Sequence, residues 1–326
     1  MRLIPITDYN EQTMQLAKAV YDGRGRVLLA ANHTIHSRFL ERFRQMGISH
    51  IVVEDTVSKG ITLEEMLDIP TWLELIEHVK TAYDAAAGNK PFPIKSLMQG
   101  AGSLVDEVKR RPIAISVPVT AVVAELHSFA HAVNVALIAL QIAKSLSYND
   151  LQLRDLAIGC LLHDIGKGIS LERKTHPETG FQYLRTIREI SLLSAHVAYQ
   201  HHERYNGTGA PRGIAGSEIH EYAQICGLAN FYENLASVLR IPPHEAVEAV
   251  MAQLGSGYAE RIVQAFVQGV APYPPGSKVV LSNGELAIIT RIDSHMQRPV
   301  VRYLTTGQEV SLAEYPTLMI TELVVC

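Results

Sequence analysis

Two doublets of metal-ligand residues stand in a long apolar segment with a helical pattern. His163-Asp164 lies in LLHDIGKG, and His201-His202 opens HHERYNGTGAPRGIAG. Imidazoles and a carboxylate among leucines and isoleucines are costly to bury unless a partner compensates them, and a bound metal is the usual partner. The functional site should therefore lie between about residues 127 and 230.

Single histidines precede and separate the doublets. Seven of the fourteen histidines fall between residues 127 and 202, where an even distribution would place about three. His127 and His131 are four residues apart and share a helical face, so they can chelate together. A lone histidine on an apolar helix face, such as His196, is more often hydrogen-bonded in the core. The doublets differ because each lies beside a turn rich in glycine or carrying a lysine.

The length and charge of the chain indicate its general class. With 326 residues, it exceeds the usual size of a single core, which favours two or three domains in an ordinary globular protein. A net charge of -4 argues against binding of nucleic acid and against a polybasic membrane contact. A phosphorylated ligand can still be held through local cations or metals.

The cysteines and the apolar segments favour a cytoplasmic protein. Cys160, Cys226 and Cys326 are scattered and form no CxxC motif, as expected in a reducing compartment. The first residues, MRLIPITDYNEQT, lack the apolar region of a signal peptide. The longest apolar stretch, residues 132–143, is too short to span a bilayer, so we expect no membrane insertion.

The hydrophobic pattern changes along the chain and predicts a mainly α protein with two small flanking modules. Residues 1–61 read as an α+β module, and residues 62–112 as a helical linker region whose first helix starts at Thr62 and is interrupted at Pro70. Residues 113–270 are helical almost throughout and carry the doublets. Residues 271–326 alternate in short runs around an SNGE turn and read as a small β domain.

The ordered motifs between Leu126 and Gly216 resemble the HD superfamily of metal-dependent phosphohydrolases, and more narrowly its HD-GYP family of cyclic di-GMP phosphodiesterases. AHAVNVALIALQIAKSL resembles the family's opening helix, LLHDIGK its HD signature, and HPETG the segment that supplies a further histidine. HHERYNGTGAP is similar to the long motif that ends in Gly-Tyr-Pro. The resemblance covers about half of the chain.

The resemblance implies an all-helical HD-type bundle holding two divalent metal ions. Iron or manganese suit mixed imidazole and carboxylate ligation, and zinc, cobalt or nickel are also compatible. Asp164 would bridge the two ions and, with Lys167, serve catalysis; a hydroxide between the metals would attack phosphorus. The implied ligands are His131, His163, Asp164, His176, His201 and His202, with Asn230 as a weak ligand and His127 as a further candidate. The implied substrate-binding residues are Lys167, Arg204, Gly207 and Gly209.

The chain departs from the family pattern at four places. Asn230 stands where the family has its last ligand, an Asp, so the ion beside His131 and His163 should be held more weakly. Gly-Tyr-Pro has become Gly-Ala-Pro, with Ala210 at its centre. The segment between Lys167 and His176 is shorter than usual, so the wall it forms in the family should be missing. Finally, His127 replaces a Glu that binds a third metal in some members.

Three functions follow from these observations. The first is hydrolysis of cyclic di-GMP to linear pGpG and further to GMP, with reduced activity because of Asn230. The second is a catalytically degenerate signalling or protein-interaction module that binds metal or nucleotide. The third is an HD phosphohydrolase acting on another phosphoester. The expected partners are a cyclic dinucleotide, signalling proteins and a second copy of the chain, without nucleic acid.

Overall fold

The computed structural model describes residues 1–64, 66–113, 115–170, 172–293 and 295–324. Cys326 lies outside the described residues, whereas Cys160 and Cys226 are free and buried. The helices are α1 Ser37–Gln45, α2 Ile69–Ala87, α3 Ile94–Arg110, α4 His127–Ser145, α5 Asp150–Leu161, α6 Gly166–Ile169, α7 His176–Leu184, α8 Leu192–Gln200, α9 Glu221–Glu233, α10 Pro243–Met251 and α11 Glu260–Gly269. The strands are β1 Arg2–Pro5, β2 Gln15–Leu16, β3 Val20–Tyr21, β4 Val27–Leu29, β5 His50–Glu54, β6 Lys278–Leu281, β7 Leu286–Arg291, β8 Val300–Tyr303, β9 Glu309–Ser311 and β10 Ile320–Leu323.

The N-terminal module combines a small antiparallel sheet with one helix. The strand order is β1-β5-β2, and β3 and β4 form a separate hairpin. Helix α1 closes the module with its buried Phe43. The buried side chains of this module are continuous with those of the helical bundle. The predicted α+β character is confirmed, and the boundary near residue 61 stays a prediction.

The predicted helix from Thr62 is wrong. Among the described residues between 62 and 68 the backbone is not helical, and Met66 pairs with Ile115 in an isolated β-bridge. Helix α2 begins at Ile69, because Asp68 caps it by accepting a hydrogen bond from the Thr71 amide and Pro70 fits the first turn. Proline therefore starts this helix and does not interrupt one.

The central bundle is built around α4, which packs against α2, α5, α9 and α11. Residues 132–143 are all buried. Residues Ala124–Ser145 form the one described helix that is long and apolar enough to cross a membrane, and 78% of its most apolar window is buried inside the protein. Its apolar composition is thus that of a core helix. No strand occurs among the described residues from 113 to 270, which confirms the helical prediction.

The C-terminal module is a five-stranded antiparallel sheet in the order β10-β6-β7-β8-β9. The predicted SNGE turn joins β6 to β7, with Gly284 at φ 81°. Val279, Ile289 and Val301 belong to a core separate from that of the bundle. The mainly α fold with two flanking modules is confirmed, whereas the boundaries at 112 and 270 remain predictions.

Candidate metal centre

The ends of four helices meet on one side of the bundle and carry the predicted ligands. His131 lies in the second turn of α4, and His163-Asp164 follow α5. His176 opens α7, and His201-His202 follow α8. Gly166 permits this arrangement, because a Cβ there would lie 2.0 Å from the His176 carbonyl oxygen.

Asp164 lies between two groups of imidazoles. Its Oδ1 is 3.1 Å from His176 Nε2 and 3.6 Å from His201 Nε2. Its Oδ2 is 3.4 Å from His163 Nε2. Potential ligand atoms lie within 4.8 Å of one another in two groups that share this carboxylate: Asp164, His176, His201 and His202, and His131, His163 and Asp164.

Backbone carbonyls orient two of these imidazoles. His163 Nδ1 is 2.8 Å from the Cys160 carbonyl oxygen, and His201 Nδ1 is 3.0 Å from that of Ala198. A carbonyl can only accept, so each Nδ1 carries the proton and each Nε2 presents its lone pair toward Asp164. His163 Nε2 is buried without a hydrogen-bond partner among the described residues. This buried lone pair fits a metal ligand.

A buried carboxylate orients His131 from the other side. Glu233, 1% exposed, accepts from His131 Nδ1 at 2.6 Å, from Asn134 Nδ2 at 2.9 Å and from Ser237 Oγ at 2.6 Å. Trp72 Nε1 in turn donates to Asn134 Oδ1 at 3.1 Å. Burial acts to lower the pKa of His131, but Glu233 outweighs it and the pKa is raised. A chain of hydrogen bonds therefore extends from α2 to a predicted ligand.

The charges of the site suit a divalent cation. Burial lowers the pKa of His201 to about 4, so this imidazole is neutral at physiological pH. Burial acts to raise the pKa of Asp164, but the surrounding histidines hold it well below its usual range. A neutral His201 imidazole beside an ionised carboxylate suits a borderline divalent metal, although these groups do not distinguish one metal from another.

Asn230 lies beside His131, as the family resemblance implied. Its Oδ1 is 2.9 Å from His131 Nε2 and accepts from Asn234 Nδ2 at 2.8 Å. The amide oxygen is therefore close enough to bind the same metal ion as this imidazole, but it carries no charge. His127 lines the same cleft without joining either ligand group, and its Nε2 donates to the Val122 carbonyl oxygen at 3.0 Å.

A cleft of about 650 Å³ opens over the ligands, within the size range of small-molecule sites. Lys167 lines it and forms an ion pair with Asp164. One wall comes from α2, through Tyr83, Asp84 and Ala87. Tyr83 lies beside Gly168, so α2 supplies a wall next to the short segment after Lys167, where the sequence predicted a wall to be missing.

The structure does not bring Arg204, Gly207 or Gly209 into the lining of this cleft. The guanidinium carbon of Arg204 lies 5.3 Å from the ring centroid of Phe231 and 5.0 Å from that of Tyr258. Gly209 serves the loop itself, because a Cβ there would lie 2.3 Å from the Arg204 amide nitrogen. The position of Arg204, between two aromatic rings, therefore does not support its implied role in substrate binding.

Three residues of the site escaped the sequence analysis. Glu233 follows Asn230 by one helical turn, and an acid at the end of a largely apolar helix is a signal that could have identified it. Arg240 lines the cleft and forms no ion pair among the described residues, but it follows a π-helical segment that the sequence does not reveal. Tyr83 carries no local signal, because only tertiary packing brings α2 to the ligands.

The segment that carries this site matches a known protein family. The HD domain family matches residues 128–235, which include every ligand of both groups. The predicted resemblance to the HD superfamily is confirmed over this third of the chain, and the narrower resemblance to the HD-GYP branch stays a prediction.

Two relatives and one solved structure resemble this chain. A cyclic di-GMP phosphodiesterase of Pseudomonas aeruginosa is 30% identical over 216 residues, covering 58% of this chain and 51% of the relative. Another of Thermotoga maritima is 27% identical over 165 residues, covering 44% of this chain and 45% of the relative. The chain thus spans about half the length of these relatives. The structure of an HDG"Y"P protein from Bdellovibrio bacteriovorus matches with TM-score 0.50 and 17% identity, over 81% of this chain and 97% of that one, and shows the same fold.

Proposed function

We propose that this protein is a metal-dependent phosphodiesterase that hydrolyses cyclic di-GMP to linear pGpG and further to GMP. The observation that carries the proposal is Asp164, whose carboxylate is shared by two groups of imidazoles at the base of a cleft. The named activity of the bacterial relatives supports the substrate. A cytoplasmic location, a homodimer and contacts with signalling proteins belong to the same proposal.

The ligand residues would hold two divalent ions, with Asp164 between them. His131, His163 and Asn230 would serve one ion, and His176, His201 and His202 the other. Iron or manganese suits this donor set. Divalent ions bound there would supply Lewis acidity toward phosphoryl oxygens and a lowered pKa of water.

The residues of the chain would position the dinucleotide and exclude water. Lys167 Nζ, 46% exposed as a side chain, reaches the cleft from the same turn as Asp164 and can donate to a phosphate oxygen. The guanidinium of Arg240, which forms no ion pair within the described part of the chain, offers a second cation at the cleft. Burial raises the pKa of Tyr83, so its phenol stays protonated and can donate a hydrogen bond.

A degenerate signalling module is the second candidate, and Asn230 favours it. A family Asp would add one negative charge next to His131, whereas Asn230 forms hydrogen bonds within the protein. A single ion on the Asp164, His176, His201 and His202 group would then be retained without turnover. An HD phosphohydrolase for another phosphoester is a third outcome of the same test.

Metal content and product analysis test the proposal. Full-length protein purified anaerobically should contain about two ions per chain by elemental analysis, as the dinuclear site requires. With cyclic di-GMP and Mn²⁺ or Fe²⁺, chromatography should detect pGpG, and Asp164→Asn should remove the activity. One ion and no product under reducing conditions would favour the degenerate module. Hydrolysis of other phosphoesters alone would favour the third candidate.

A further inference from the structure

Arg204 follows the second ligand doublet by one residue, but its side chain is turned toward the protein. Among the described residues it does not belong to the lining of the metal cleft. Its Nη1 is buried and meets no hydrogen-bond acceptor within the described part of the chain. A buried cation without a partner is costly, so other contacts of the guanidinium must offset that cost.

Two aromatic rings face the Arg204 guanidinium. Its carbon lies 5.3 Å from the centroid of Phe231 and 5.0 Å from that of Tyr258, within the range of a cation–π contact. Gly257 leaves room for the group, because a Cβ there would lie 3.2 Å from Arg204 Nη1. A planar guanidinium stacks on aromatic faces, whereas the compact ammonium of lysine does not. These surroundings therefore suit the shape of arginine as well as its charge.

Both rings are tied to the part of α9 that carries Asn230. Phe231 directly follows Asn230 in this helix. Tyr258 donates from its hydroxyl to the Gly227 carbonyl oxygen at 2.8 Å, about one turn before Asn230. Arg204 therefore connects the loop after α8 with the segment of α9 that holds a predicted ligand.

The doublet at the end of α8 is in contact with the same segment. A Cβ at Gly227 would lie 2.6 Å from the His201 carbonyl oxygen, so α9 packs directly on the doublet. The Ala210 amide donates to the His202 carbonyl oxygen at 3.1 Å, which holds the following loop against the doublet. A displacement of the loop relative to α9 would therefore change the distance between His202 and Asn230.

We propose that Arg204 is a positioning residue that holds His202 and Asn230 at the spacing that two metal ions require. It acts through Phe231 and Tyr258 and touches neither the ions nor the substrate. The inference rests on the proposed function, because it takes His202 and Asn230 as ligands of the two ions. The His131 side of the centre, which has the neutral Asn230, is the more sensitive to a loss of this spacing.

Mn²⁺ reports the pair of ions directly, because two ions that share a carboxylate couple magnetically and an isolated ion does not. Full-length wild type with about two equivalents of Mn²⁺ should give the electron paramagnetic resonance spectrum of a coupled pair. Arg204→Met removes the guanidinium, so the spectrum should become that of isolated Mn²⁺. Chelator competition should show an affinity for the second ion that is lower by about 10- to 100-fold. Arg204→Lys restores the charge without the plane and should lose less.

Two further variants separate this contact from a general loss of stability. Phe231→Leu removes a ring from the same contact, so the double variant with Arg204→Met should lose no more affinity than either single variant. Arg185→Met is the matched control, because Arg185 lies 5.9 Å from the Phe181 ring centroid in a cation–π contact outside both ligand groups. It should keep the coupled spectrum, and circular dichroism should show that the variants are folded.

The outcomes distinguish this role from the proposed function. A coupled pair in the wild type and equally in Arg204→Met would overturn the role of Arg204 alone. Additive losses in the double variant, or the same loss in Arg185→Met, would also overturn it. If Arg204→Met does not fold, Arg204→Lys and Phe231→Leu decide the result. A wild type without a coupled pair would overturn the two-ion centre and, with it, this role.

Discussion

Replacing Asn230 by Asp should tighten metal binding on the His131 side of the centre. Asn230 Oδ1 lies 2.9 Å from His131 Nε2, so an ion bound by this imidazole would be within about 4 Å of the new carboxylate. At an effective dielectric of about 20, opposite unit charges at that distance attract by about 4 kcal/mol, and a divalent ion doubles this. Desolvation of the carboxylate and repulsion from Asp164 offset much of it.

We therefore expect a net gain of about 1.4–3 kcal/mol, which is a 10- to 100-fold higher affinity. Competition with a fluorescent chelator under anaerobic conditions measures it, and kcat on cyclic di-GMP should rise with occupancy. Asn149→Asp is the matched control, because it adds the same charge far from the metal centre. Asn149 caps the N-terminus of α5, the length of this 12-residue helix away from His163, and Asp keeps the capping oxygen. Equal affinity of wild type and Asn230→Asp would show that position 230 does not bind metal.

Three further changes test the surroundings of the centre. Glu233→Gln should lower metal affinity, measured by chelator competition, by about 10- to 100-fold, and Ser237→Ala should lower it by less. Equal effects of the two changes would contradict a dominant role of the Glu233 carboxylate. Tyr83→Phe should lower kcat/KM for cyclic di-GMP by about 10-fold with little change in Tm, since one hydrogen bond to a charged group is lost; unaltered kinetics would remove the phenol from substrate binding. In protein from which metal has been removed by a chelator, burial lowers the folded-state pKa of His201 from 6.5 to about 4. The neutral imidazole therefore contributes up to about 3 kcal/mol to the free energy of unfolding above pH 6.5, and this contribution is lost as the pH falls toward 4. In urea titrations, His201→Gln should make the free energy of unfolding less dependent on pH over this range. The same pH dependence as in the wild type would contradict the assignment to His201.

The ligand positions could be predicted because they depend on local sequence. His163 and Asp164 come after Leu162, the C-cap of α5, and His201 directly follows α8, so each doublet is held by the end of one helix. The apolar pattern predicts those helices, and burying their faces brings the ends together. Spacing and helix prediction account for the proximity of the two doublets, whereas their role as metal ligands is implied by the family resemblance and stays a prediction.

The rest of the cleft depends on contacts between distant segments. Tyr83 reaches the site because α2 packs on α4 and α6, and no pattern within residues 69–87 indicates it. Arg204 belongs to a motif that predicts contact with substrate, but its position is set by Phe231 and Tyr258, which follow later in the chain. Side-chain direction in loops is decided by packing that the sequence does not reveal.

Asn230 and Glu233 act on opposite nitrogens of one imidazole, and this bears on the choice between an enzyme and a degenerate module. Glu233 accepts from His131 Nδ1 and so increases the electron density at Nε2, the atom that faces Asn230. A carboxylate thus remains next to this imidazole although position 230 is neutral. The buried network through Asn134 and Ser237 holds Glu233 against His131. A module that binds one ion through Asp164, His176, His201 and His202 would not need His131 oriented in this way, so the network supports the proposed two-ion enzyme over the degenerate module.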